Sequence, residues 1–367
     1  MIDFEAEGLL DGLDGREREA RMRLLEELAA EGVPLDELRR AVAEDRLALL
    51  PVERVLEGGG PRYTAAEVAE RAGVEVGLLE RQRRALGLSV PARDERVFNE
   101  QDVEAARRLR AFLEAGLPED GVFEVTRVVG MGMAQIAAAT RELIAEALLR
   151  PGDTERDVGR RYAEAARSLG PMIGPLLEHV FYLHQREQVR SEVVGAAERE
   201  AGSLPGSAEV GVCFADIVGF TRLGESLPPE ELGAVTGRLS ELAGEVAGPP
   251  VRLVKLIGDA AMLVSPETDP LLDAALALVE EAEAEREGFP LLRAGVAHGR
   301  ALPRGGDWYG RPVNVASRIT AIAYPGSVLC ASEVREAAGD GYGWSSAGSR
   351  RLKGIRESIR LYRARRG

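Results

Sequence analysis

The chain has 367 residues, a mass of 39.5 kDa and a formal net charge of −14, a length that favours two or three domains. Hydrophobic residues make up 45% and charged residues 29%, which excludes disordered, fibrous and collagen-like classes. Mean hydropathy is −0.13 and no run of about 18 apolar residues occurs, so no membrane span is expected. The acidic start Met1-Ile2-Asp3-Phe4-Glu5 does not read as an export signal. Two cysteines, Cys213 and Cys330, are too few for a disulfide framework. A cytoplasmic location follows as the expectation, and the acidic balance disfavours nucleic-acid binding by counterion release.

Residues 1–200 read as helix, with apolar positions three and four apart at Leu24, Leu25, Leu28, Leu35 and Leu38. Gly58-Gly59-Gly60-Pro61, Gly116-Leu117-Pro118, Arg150-Pro151-Gly152 and Gly170-Pro171 punctuate the helices. Tyr63 to Val74 reads as helix, turn and second helix. Arg96-Val97-Phe98 stands where a wing would follow, ahead of a helix starting near Glu100. Residues 62–116 thus resemble the winged helix-turn-helix of MerR-type regulators. Ten Arg balance ten Asp plus Glu from Arg62 to Glu114, whereas DNA-binding modules present a basic face; packing or regulation is the expected role. Met131, Met133 and Met172 are expected in core packing. Tyr182 to Glu200 is a polar, charge-laced helix, and Ala201 to Ser207 is a breaker-rich linker. The expected organisation is an all-α domain over 1–184, a helical linker or switch over 185–207, and a second domain over 208–367.

After residue 208 the period changes. Val210 to Ala215 reads as a buried strand and about 229–246 as a helix opened by Pro228-Pro229. Strands at 251–257 and 260–265 meet at the tight Gly258-Asp259 turn. A helix over about 270–287, a strand from Leu291 to His298, a helix near 310–323 and strands at 327–331, 343–350 and 358–363 complete the pattern. A β-α-β-β-α-β core with additions predicts a ferredoxin-like α+β domain.

Asp216 ends the first of these strands and Asp259 sits in the hairpin turn. If strand and hairpin are neighbours, both carboxylates emerge at one end, the oxygen-rich setting that suits Mg²⁺ with phosphates. The alternative is a strand cap and an ordinary turn residue. The basic residues are informative by their bias: Lys255 and Lys353 are lysine and the remaining 45 are arginine, while Asn99 and Asn314 are the two asparagines. The two lysines are therefore expected where a compact ammonium is required.

Phe214 to Thr221, Lys255-Leu256-Ile257-Gly258-Asp259, and Asp307 to Arg318 together resemble the catalytic domain of class III nucleotidyl cyclases, over about 208–364. With a helical front half, the chain resembles soluble actinobacterial-type adenylate cyclases whose N-terminal domain is regulatory. The resemblance implies that Asp216 and Asp259, assisted by the Ile217 carbonyl, bind two Mg²⁺ or Mn²⁺ ions per site, and that Phe220 and Thr221 contact substrate. Lys255 and Asp307 match the adenine-reading pair; guanylate-specific relatives often carry Glu and Cys there. Asn314 and Arg318, four apart on one helix face, match the pair that positions ribose and stabilises charge on the α-phosphate. Lys353 matches the lysine that contacts the terminal phosphates. The family forms its site between two catalytic domains, and this chain has both halves, so a homodimer with two equivalent sites is implied. The loop Ala301–Gly306 looks short.

The activity expected is conversion of ATP to 3′,5′-cyclic AMP and pyrophosphate, regulated by the front domain through autoinhibition. The alternatives are a guanylate cyclase, disfavoured by Lys255 and Asp307, and a DNA-binding or ligand-sensing regulator with a cyclase-like domain. His179 and His184, at the start of the polar helix, are candidates for a pH response, to which His298 could add, the alternative being two ordinary, partly buried histidines.

Overall fold

The computed structural model describes residues 2–58, 60–199, 207–285 and 289–367. The chain divides into two compact units, Met1–Gly195 and Ala196–Gly367. The first is helical: α1 (Gly15–Ala30), α2 (Leu35–Ala43), a short 3-10 turn (Leu47–Leu49), α3 (Leu50–Glu57), α4 (Ala65–Ala72), α5 (Val76–Ala85), α6 (Glu100–Glu114), α7 (Glu119–Leu148) and α8 (Glu155–Arg199). Leu24, Leu25, Leu28, Leu38, Leu47 and Leu50 form one buried cluster. Arg21 grips Glu155 through two hydrogen bonds of 2.7 and 2.8 Å, tying α1 to the start of α8.

Tyr63, Val68, Ala72, Leu79, Phe98 and Val103 form a second cluster, that of the helix-turn-helix. Thr64 and Glu67 close a reciprocal cap at the start of α4, and Gly73, at φ 69°, ends that helix. Asn99 caps α6 with its side-chain oxygen, which accounts for one of the two asparagines. The wing expected at Arg96–Phe98 amounts to one antiparallel bridge between Tyr63 and Phe98.

Two expectations for this unit are corrected. Helix α8 runs through Gly170-Pro171 and includes Pro175: each proline removes a single N–H, and the freed carbonyls lie on an exposed stretch that water can solvate. The expected helical linker begins within this helix, which continues across 184–185, and residues 201–206 of the breaker-rich run expected from Ala201 to Ser207 lie outside the described residues. Met131 and Met133 are exposed rather than packed, because only Phe123 and Gly130 of α7 are buried, and Met172 on α8 is exposed as well. By length and composition, α7 is one helix able to cross a membrane. Its longest uncharged run nevertheless is 128–140, between Arg127 and Arg141, about 20 Å of helix against a hydrocarbon core of about 30 Å.

The second unit comprises β1 (Ala208–Ile217), α9 (Phe220–Ser226), α10 (Pro229–Val246), β2 (Arg252–Ile257), β3 (Ala260–Ser265), α11 (Thr268–Ala284), β4 (Leu292–Arg304), β5 (Asp307–Tyr309), α12 (Arg311–Ile322), β6 (Ser327–Ala331), α13 (Ser332–Ala337), β7 (Tyr342–Arg351) and β8 (Ser358–Arg366). The sheet order is β2-β3-β1-β4-β6-β8-β7, with β5 paired to β4. The antiparallel segment β2-β3-β1-β4 with α10 and α11 is the ferredoxin-like core; β6 extends it in parallel beside β4.

Alternation along the strands fills both sides of the sheet. Cys213, Ala215, Leu263, Leu292 and Val296 pack on one side with Leu242 and Leu278 of α10 and α11. Val212, Phe214, Met262 and Ala297 pack on the other with Val315, Ala316 and Ile319 of α12. The short elements α9, β5 and α13 have no counterpart in the periodicity of the sequence, being too brief to display one.

Candidate active site

Strand β1 carries Asp216 on the same side of the sheet as Phe214, the side that α12 covers. Its register with β3 places Asp216 opposite Ala260, the residue after Asp259. The Ile217 N–H donates to the Asp259 carbonyl at 3.0 Å, which joins strand end to hairpin turn. Gly258 makes that turn possible with φ 61°. Burial, and then the charge of Asp216, push the Asp259 carboxyl above the ordinary carboxylate range. Two carboxylates converging at a strand end and a turn form an oxygen donor set that fits a hard divalent cation completed by water and phosphate oxygens. The side chain of Ile217 is buried, so its backbone is the part available to a ligand. Phe220 and Thr221 open α9 just beyond β1, Phe220 half-buried and Thr221 exposed.

On the same side of the sheet, Lys255 of β2 donates to Asp307 Oδ2 at the start of β5. Asp307 Oδ1 accepts from the Trp308 N–H at 2.8 Å, which fixes the carboxylate plane. The loop before Asp307 is the hairpin turn between β4 and β5, with Leu302 paired to Tyr309 and Arg304 to Asp307.

Helix α12 buries Pro312, Val315, Ala316, Ile319 and Thr320 and turns Asn314 and Arg318 to solvent. Its closeness to the sheet depends on Gly295: a Cβ there would lie 2.3 Å from the Thr320 nitrogen. The buried Thr320 hydroxyl donates to the Phe214 and Ala316 carbonyls at 3.1 and 2.8 Å. Lys353 is exposed in the β7–β8 hairpin. The aspartates, Lys255–Asp307 and the α12 pair therefore share one side of one sheet, with Asn314, Arg318 and Lys353 presented outward.

His179 and His184 are exposed on α8. His298, on the α11 side of β4, has Nδ1 3.3 Å from the Thr268 hydroxyl and Nε2 3.7 Å from Glu209.

One residue of the site escaped sequence reasoning. Arg293 stands directly across from Asp216 in the β1–β4 register and donates to Asp216 Oδ2 from Nε at 3.0 Å and Nη2 at 2.6 Å. The available signal was its position in β4 once that register is known; as one of 45 arginines it carried none.

Two family models cover the chain: one for the adenylate cyclase regulatory domain matches residues 2–189, and one for the adenylate and guanylate cyclase catalytic domain matches residues 204–364. The chain belongs to the class III adenylate cyclases that carry this regulatory domain, and it is an enzyme of the cyclase class. It is 45% identical to the pH-sensitive adenylate cyclase MT1302 of Mycobacterium tuberculosis, over 100% of this chain and 93% of that protein. It is 34% identical to an adenylate cyclase of Streptomyces coelicolor, over 78% and 74% of the two chains. Among solved structures, the adenylyl cyclase CyaB of P. aeruginosa matches 44% of this chain and 95% of its own at 20% identity, with a TM-score of 0.39.

Proposed function

We propose that the chain converts ATP to 3′,5′-cyclic AMP and pyrophosphate as a homodimer, each site drawing on both subunits. The observation that carries this reading is the Lys255–Asp307 pair, brought together across 52 residues. An ammonium donor beside a carboxylate acceptor can give a hydrogen bond to adenine N1 and take one from the exocyclic amine. Guanine reverses the pattern at both places, so the pair selects against it.

Asp216 and Asp259, with the Ile217 carbonyl, would hold two Mg²⁺ or Mn²⁺ ions. Bound there, the metals supply Lewis acidity toward the ribose 3′-hydroxyl and neutralise triphosphate charge. Asn314 orients the ribose. Arg318 stabilises the charge that grows on the α-phosphate as its bond to the 3′-oxygen forms and its bond to pyrophosphate breaks. Lys353 holds the terminal phosphates, and Phe220 and Thr221 contact substrate beside the aspartates. Asn314, Arg318 and Lys353 have no side-chain partner among the described residues, which supports a role toward substrate held by a second subunit.

Residues 1–184 would restrain the catalytic domain, 208–367, through a switch at 185–207. We place the enzyme in the cytoplasm. The 45% identical relative is pH-sensitive, and the exposed His179 and His184 are the groups we assign to such a response. Nucleic acid is not the expected partner. Arg81 is paired with Glu119, Arg84 with Glu80, and Arg83 lies over the Phe98 ring, so these α5 cations are already engaged.

ATP and GTP turnover with Mn²⁺ tests the reading, with ATP expected to dominate; a preference for GTP overturns it. Comparing the full chain with residues 208–367 tests the restraint, which predicts faster turnover after truncation. Replacing both α8 histidines with Gln is expected to flatten the activity-versus-pH curve, and an unchanged curve removes them from the account.

A further inference from the structure

Arg293 makes a third bond that the metal half of the site does not need. While Nε and Nη2 hold Asp216 Oδ2, Nη1 donates to the Ala321 carbonyl at 3.1 Å. Ala321 lies in the last turn of α12, the helix that carries Asn314 and Arg318. Carbonyls there have no partner within the helix, and the negative end of the helix dipole favours a cation beside them. A planar guanidinium, with donors on two edges, can bridge carboxylate and carbonyl together; an ammonium presents a single point. The side chain is 28% exposed and that of Asp216 19%, so the bonds form where water screens them only in part. Both contacts to Asp216 fall on Oδ2, leaving Oδ1 outside the clamp.

We propose that Arg293 is a positioning residue that couples the two halves of the catalytic machinery within one subunit: it competes with the divalent cation for Asp216 and anchors the C-terminal turn of α12. Its guanidinium already sits on Asp216 Oδ2 through two bonds, so an arriving cation meets a carboxylate that is partly neutralised. In a symmetric pair the aspartates and α12 of one chain serve different sites, and the clamp then links those sites. This inference rests on the proposed cyclase reading.

The test uses full-length protein and two readouts. Mn²⁺ binding without nucleotide, followed by electron paramagnetic resonance of the free ion, is expected to tighten at least about threefold in Arg293→Gln, while kcat falls about tenfold or more, the range typical of groups that orient metal ligands. Arg293→Lys keeps the charge and loses the bridge. Its Mn²⁺ affinity is expected to stay within about twofold while kcat still falls, and this variant decides the matter if the Gln protein does not fold. Weaker Mn²⁺ binding in parallel with lower kcat overturns the competition, and unchanged kcat overturns the link to α12.

Mixed assemblies separate this inference from the reading beneath it. Asp216→Ala and Arg318→Ala chains, inert alone, are expected to recover activity when co-assembled; failure there sinks the complementary-site reading itself. With that activity in hand, Arg293→Gln placed on the Asp216→Ala chain is expected to lower it at least about threefold through α12 alone, and a silent substitution sinks the coupling.

Discussion

The two units of the chain store their stability differently. In the catalytic unit both sides of one sheet are filled, by α10 and α11 on one side and α12 on the other. The helical unit has compact clusters around α1–α3 and α4–α6. Its two long helices leave apolar side chains in the open, Leu143 at 67%, Met172 at 65% and Leu176 at 60% exposure. Strands far apart in sequence must dock before the catalytic sheet exists, whereas each helical cluster draws on neighbouring segments. Damage to the sheet should therefore reach the active site, and damage to a helical cluster should stay near its origin.

The largest effect that would break this contrast is catalytic. Arg318→Ala is expected to lower kcat by about 10²–10³, the usual consequence of losing one donor to developing charge, with the unfolding midpoint nearly unchanged because the side chain is exposed. A parallel loss of stability would mean that Arg318 supports the fold. Reversing the base-reading pair sharpens the point: Lys255→Glu with Asp307→Cys should cut kcat/KM for ATP at least about tenfold and raise it for GTP.

A packing change comes next. Gly295→Ala places a methyl 2.3 Å from the Thr320 nitrogen and 2.6 Å from the Ala316 carbonyl oxygen, and overpacking of this kind costs about 1–3 kcal/mol. Thermal unfolding should register the cost, and kcat should fall with it because α12 must ride up from the sheet. Unaltered kcat would show that the helix can shift without consequence.

Asp259 predicts the opposite sign. Burial and Asp216 raise its carboxyl in the fold, so the ionised form is penalised relative to the unfolded chain. Asp259→Asn should stabilise the metal-free protein at neutral pH. The gain should fade as pH falls through the raised pKa toward the unfolded value, where both forms are neutral. Activity should be lost throughout, and a variant less stable than wild type at neutral pH would refute the assignment.

What could be read in advance follows the same division. Lys255 and Asn314 stood out because their types are rare, Arg318 because one helix fixes its spacing from Asn314, Asp216 and Asp259 because strand and turn chemistry place them, and Asp307 only through the family resemblance. Arg293 did not, since its meaning arises from the β1–β4 register, a relation between residues 77 positions apart. The continuation of α8 through Pro171 and Pro175 was hidden for a different reason. Proline lowers helix propensity locally, but the turns on either side hold the helix together and solvent satisfies the freed carbonyls.

The smallest effect tests the local character of the helical unit. Thr64 accepts from the Glu67 N–H at 3.3 Å while the Glu67 carboxylate accepts from the Thr64 N–H at 2.8 Å. Thr64→Ala should cost about 1 kcal/mol, confined to the α4–α6 cluster. That backbone bond from Thr64, aided by Arg96, holds the Glu67 carboxyl below the ordinary range. The Glu67 contribution is therefore full above the unfolded pKa and disappears as pH drops through the lowered one. Hydrogen exchange at neutral pH should accelerate in α4 and leave the β1–β4 amides unchanged. Equal acceleration in the sheet would mean that the two units unfold as one, and the contrast between them would fail.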